Sequence, residues 1–118
     1  MSEKELCFAI NEYLALYSNQ YQYMYWHVPN ENVSRNVGWV MMQKKMGMRS
    51  GVPDYVLWHE KLTLLIEVKV AKGKLSKNQK SFIKEAEDKK LGGNVIVVYG
   101  WEEFEYNIKK EFFDRIKN

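Results

Sequence analysis

The sequence has one cysteine, Cys7, and two histidines, His27 and His59, which stand far apart. A lone thiol cannot close an internal disulfide, and without a Cys/His cluster there is no zinc site to read. A reducing, intracellular setting fits that cysteine usage. No apolar run is long enough to span a bilayer. The opening "MSEKELCF" carries acid where a secretory leader needs base and apolar length, so a soluble, untargeted protein is expected. Neither charge dominates: 18 Lys and Arg against 15 Asp and Glu give +3, compatible with a nucleic-acid partner but insufficient to infer one. Internal repeats and low-complexity segments are also absent. What remains is 118 residues, 46% hydrophobic and 14% aromatic, enough for one domain over residues 1–118 with a core that needs no staples.

Leu6, Ile10, Tyr13, Leu14 and Tyr17 recur at helical spacing and predict a helix from about Glu3 to Tyr17, with Ser2 as N-cap. "YQYMYWHV", Tyr21 to Val28, reads as a first strand ended by "PNEN". The stretch from Pro29 to Gly51 is long and mixed, with "GWVMMQKKMG" a short helix between Gly38 and Gly47. "DYVLWH" and "LTLLIEVKV" form a hairpin turning at His59, Glu60 and Lys61. Ser76 opens a second long helix, with Phe82, Ile83 and Ala86 inward, Lys89 and Lys90 in its last turn and Gly92 as terminator. "NVIVVY" is a short buried strand, and Phe104, Ile108, Phe112 and Ile116 mark a terminal helix. The order predicts an α/β fold, a mixed sheet flanked by helices.

One strand is anomalous. In "LLIEVKVAKGK", Leu64, Ile66, Val68 and Val70 share one face, while Leu65, Glu67 and Lys69 share the other. A buried charge needs a partner, so Glu67 and Lys69 require each other, solvent, or a third group such as a metal ion. A cross-strand salt bridge is the simplest reading. The hairpin offers another, because "RSGVPDYVLW" starts its first strand at or near Asp54, and the spacing about residue 60 brings Asp54 close to Glu67. Two converging carboxylates suit a hard divalent cation that can bridge to a phosphate, with Lys69 polarising the attacking water and offsetting phosphate charge. That is a phosphodiesterase site. The bland alternative has Asp54 merely starting a strand after a turn and pairing with Lys69.

The string "GVPDYVLW" followed by "IEVKVAKGKLSKNQKSFI" resembles the VRR-NUC (virus-type replication-repair nuclease) family of the PD-(D/E)XK nuclease superfamily: G-x-PD at Gly51, Pro53 and Asp54, E-V-K at Glu67 to Lys69, then Leu75, Ser76 and Gln79. The likeness extends upstream through "PNEN" and "MGMRSG". Ala71 departs from the family where proline is common, and Cys7 where the first helix often has glutamine. The resemblance implies a restriction-endonuclease-like core, αβββαβ, with an extra C-terminal helix. It implies a Mg²⁺- or Mn²⁺-dependent DNA endonuclease, with Asp54, Glu67 and the Val68 carbonyl on the metal, and no organic cofactor.

Two more residues gain a role from it. Glu3 lies on the apolar stripe of the first helix, in line with Cys7, Ile10 and Leu14; it is either an acidic first turn favourable to the helix dipole or, as in the family, a carboxylate reaching the metal site. Gln79 completes a capping box with Ser76, yet shares a face with Phe82, Ile83 and Ala86, and the family places a glutamine beside the active site. Lys44, Lys45 and Arg49 before the PD, and Lys72, Lys74, Lys77 and Lys80 after the E-V-K strand, are either solvated faces or phosphate contacts that position a duplex without reading sequence. The "WVMM" patch, Trp39 to Met42, is core or a dimer interface. The family favours a homodimer cutting branched DNA such as four-way junctions, and stand-alone phage-type members acting in the host cytoplasm. A non-catalytic DNA-binding protein of the same fold, or a nuclease module dependent on a partner for specificity, are the rival readings.

Overall fold

A computed structural model describes residues 1–29 and 36–117. Asn30, Glu31 and Asn32 of the "PNEN" stretch lie outside the described residues. Helix α1, Glu3–Tyr21, starts in a complete capping box: Glu5 N–H donates to Ser2 Oγ at 3.1 Å, and Ser2 N–H to Glu5 Oε1 at 2.8 Å. It buries Leu6, Ile10 and Leu14. The helix runs one turn past the predicted Tyr17, because Tyr21 stacks on Phe113 with ring centroids 4.0 Å apart and planes at 8°. Gln22, in left-handed backbone at φ 56°, then stops it. The first strand is correspondingly shorter than predicted: β1 is Met24–His27.

Helix α2, Val37–Lys45, is capped by Asn36, whose Oδ1 accepts the Trp39 amide at 2.7 Å. Among its residues none is buried, so the "WVMM" patch is not core of this chain. Strands β2, Tyr55–His59, and β3, Leu62–Val68, pair antiparallel about the Glu60–Lys61 turn, with Tyr55 opposite Ile66 and His59 opposite Leu62. β1 adds antiparallel to β2, and β4, Val95–Val98, adds parallel to β3, giving the order β1-β2-β3-β4. Helix α3, Lys77–Asp88, makes the crossover that a parallel pair requires. Gly92 is not its terminator: Lys89 caps the helix, Lys90 at φ 62° turns the chain away, and Gly92 sits in a short 3₁₀ turn, Gly92–Asn94.

The C-terminal helical segment is α4, Trp101–Ile108, a π turn, Lys109–Phe113, and α5, Asp114–Ile116. Apolar residues repeating every four positions outrun a helix of about 3.6 residues per turn. A π turn, wider than an α turn, takes up the excess. Phe104, Ile108, Phe112 and Ile116 are thereby all buried. Tyr55, Leu57, Leu64, Ile66 and Val68 form the sheet face that joins this segment and α1 in one core. The pleat turns Glu67 to the opposite face, toward α3. Among the described residues no helix is long and apolar enough to cross a membrane.

Candidate active site

With Tyr55 opposite Ile66, one further step along the hairpin sets Asp54 beside Glu67, just past the end of β2. No strand continues there to accept the Val68 amide. The Asp54 carboxylate does so instead, Oδ2 accepting Val68 N–H at 2.7 Å. Asp54 makes no ion pair with Lys69 among the described residues, so the expected alternative of a strand opener paired with that lysine does not hold. Its carbonyl accepts the Val28 amide at 2.7 Å, tying the end of β1 to the same point.

Glu67 is 2% exposed and the only charged residue among the buried ones described. Its Oε2 receives Gln79 Nε2 at 3.1 Å and faces Lys69 Nζ at 3.8 Å. The lysine lies just past the end of β3, two residues from Glu67 along the chain rather than across a strand pair, and 3.8 Å is too long for a hydrogen bond. The salt bridge exists but does not neutralise the carboxylate. Burial pushes Glu67 up to about 8, the Asp54 charge and a hydrogen bond with Asp54 add to the rise, Lys69 opposes it, and Glu3 contributes a little more. A carboxyl held this dry beside a second carboxylate keeps its proton near neutral pH, and a cation would favour its ionised form.

Gln79 makes the cap contact and a contact to the buried carboxylate at once. Its amide donates to Ser76 Oγ at 3.1 Å and its Oε1 accepts the Ser76 amide at 2.8 Å, completing the cap of α3, while Nε2 reaches Glu67. Glu3 arrives from the first turn of α1. Glu3, Asp54, Glu67, Lys69 and Gln79 all line one cavity of about 260 Å³. Sequence reasoning missed Val28, Pro29, Val52 and Ser76 as lining groups, and Gly51 as a builder of the site. Gly51 carried a signal, since a glycine just before PD marks a backbone constraint. Val28 carried none, because its place follows from strand pairing.

The donor set suits a hard cation. Among the described residues no three His, Cys, Asp or Glu side chains stand close enough to hold one metal ion between them, so protein ligation would rest on two carboxylates plus main-chain oxygen, with room for water and substrate. Burial and then the Asp54 charge push the Cys7 thiol up to about 11, so without a metal it is protonated at neutral pH.

Lys44 and Lys45 end α2, Lys72 and Lys74 lie in the loop after β3, and Lys77 and Lys80 open α3; all six are exposed. None makes an ion pair among the described residues, whereas Lys84 and Lys89, further along the same helix, pair with Asp88 and Glu85. Arg49 differs: its guanidinium bonds Glu85 at 2.9 Å and lies 4.9 Å over the Phe82 ring.

Compared with known families, residues 4–102 match the VRR-NUC domain model. No curated protein and no solved structure gives a significant match to the chain.

Proposed function

The chain belongs to the VRR-NUC family, nucleases of the PD-(D/E)XK type with a mixed sheet flanked by helices in the restriction-endonuclease-like manner, and from that premise we propose a metal-dependent endonuclease that cuts branched DNA as a homodimer. The observation that carries the reading is the convergence of Asp54, Glu67, Lys69, Gln79 and Glu3, drawn from the hairpin and two helices, on one cavity around a buried carboxylate.

Asp54 and Glu67, with the Val68 carbonyl, would hold Mg²⁺ or Mn²⁺. Such a cation supplies Lewis acidity toward a phosphoryl oxygen and compensates charge built up in the displacement. Gln79 pins one oxygen of Glu67 and leaves the other for ligation. Lys69, 13% exposed and held by a main-chain bond from its own amide to Val98 O at 2.8 Å, orients the attacking water and meets negative charge on the phosphate. Glu3, reaching the cavity from the first turn of α1, would order water there. Asp54 also fixes its own position by accepting the Val68 amide, so the ligand geometry exists before substrate arrives.

The lysines at both ends of the site bind phosphates, which orient a duplex without reading bases, so selectivity falls on DNA shape. Helix α2 supports the dimer. Its 9 residues are too few for a stable isolated helix, where about 12–15 are marginal. Val37, Met41, Met42 and Met46 are exposed all the same, and a second copy would cover them. The test is cleavage of linear, flapped and four-way DNA with and without Mg²⁺ or Mn²⁺. Metal-dependent cutting that favours the branched forms supports the reading; equal cutting of linear DNA removes the branch selectivity, and inert protein across the panel overturns the enzyme.

A further inference from the structure

Asp54 ends a loop that begins beside α3, and that loop is fastened to the helix at two points. The first is steric. Gly51 has φ +81°, and a Cβ there would meet the Asn78 carbonyl and lie 2.7 Å from Gln79 N, so its backbone rests directly on the first turn of α3. The second is ionic and aromatic. Arg49 bonds Glu85 at 2.9 Å and covers Phe82, both on the body of the same helix, and Glu85 is braced from its other side by Lys89 at 2.7 Å.

These contacts join the two elements that supply the site. The loop delivers Asp54 and α3 delivers Gln79, the residue that holds Glu67. We infer that Arg49, Glu85 and Gly51 are positioning residues: they lock the loop to α3 and so set the spacing of Asp54 from the Glu67–Gln79 pair. Arg49 then acts through the fold instead of through a DNA phosphate. The inference rests on the reading of Asp54 and Glu67 as the metal-holding pair.

The ion pair alone is weak, since side chains 41% and 43% exposed are well screened. Its place gives it leverage. Val68 N–H reports on that place directly, because its acceptor is the Asp54 carboxylate.

The experiment is amide exchange by NMR on the metal-free full chain, together with Mn²⁺ titration by calorimetry, for wild type, Arg49→Ala, Glu85→Ala and the double variant. Each single variant should speed exchange at Val68 about three- to tenfold beyond any change at the other β3 amides, as expected for one exposed ion pair plus a cation–π contact. Mn²⁺ affinity should weaken by a similar factor, and the double variant should match the worse single one, since both act through one contact. Gly51→Ala should exceed them all. Exchange that rises evenly across β3 means general destabilisation and overturns the inference. So does an Arg49→Ala change confined to DNA binding, with a salt slope smaller by about one and Glu85→Ala acting in the opposite direction, which marks a phosphate contact. If the lock pattern holds but wild type cuts no DNA with metal, the nuclease reading fails while the lock stands.

Discussion

Gln79 ties Glu67 to the cap of α3, its Nε2 3.1 Å from the Glu67 Oε2 and its Oε1 2.8 Å from the Ser76 amide. One side chain thus makes both a cap contact and a contact to the buried carboxylate, and substitution can part them. Gln79→Glu keeps an acceptor for the Ser76 amide but turns a carboxylate toward Glu67. Its unfolding free energy should stay within about 1 kcal/mol of wild type, the scale of a helix cap, while cleavage falls by about a hundredfold or more. Gln79→Ala should lose both. Urea unfolding and single-turnover cleavage separate the two effects.

The raised Glu67 pKa makes the metal-free fold pH-dependent. The folded chain keeps a proton up to about pH 8 that the unfolded chain releases near 4.5. More protons are bound in the folded state across that interval, so this group's contribution is fully present below about 4.5 and is lost as pH rises toward 8. Urea unfolding without divalent cation should show falling stability over this window, and Glu67→Gln should flatten the slope. Mn²⁺ should stabilise the wild type more at pH 8.5 than at pH 6, because ligation requires the ionised form.

Phosphate contacts leave a salt signature. Lys77→Ala and Lys80→Ala should each lower the slope of log affinity against log salt by about one, and weaken binding to every DNA shape by a similar factor. Fluorescence anisotropy over a salt series measures this. Lys84, paired with Asp88 at 3.3 Å, should change the slope less.

The exposed face of α2 gives an oligomer prediction. Sedimentation should show wild type at twice the 14.1 kDa chain mass. Met41→Lys with Met42→Lys should yield monomer with unchanged circular dichroism, since neither side chain is buried.

Much of the site was legible because the hairpin is short and regular. A turn at Glu60 and Lys61 fixes the register, and the register carries Asp54 to Glu67. Local spacing likewise reveals the α1 stripe and the Ser76 cap. What escapes depends on distant partners. Tyr21 stays helical because Phe113 receives its ring, and nothing near Tyr21 announces that. Arg49 reads as a free cation because its partner Glu85 is reached only when the loop folds over α3. The break at Lys90 is hidden by Gly92, the more obvious terminator just beyond it. The four-residue apolar repeat holds a clue to the π turn, since an α-helix cannot keep such a period on one face.

The central claim is that Asp54, Glu67 and Lys69 form a hydrolytic centre rather than a charged cluster that only supports the fold. Its most direct test is the single-turnover cleavage rate of wild type, Asp54→Asn and Lys69→Ala on one branched DNA with Mn²⁺, beside their affinities for that DNA without divalent cation. The account predicts metal-dependent cutting by wild type, a loss of about a hundredfold or more in each variant, and affinities within a few-fold of one another. Equal rates in all three proteins, or a loss of cutting fully matched by a loss of binding, would contradict it.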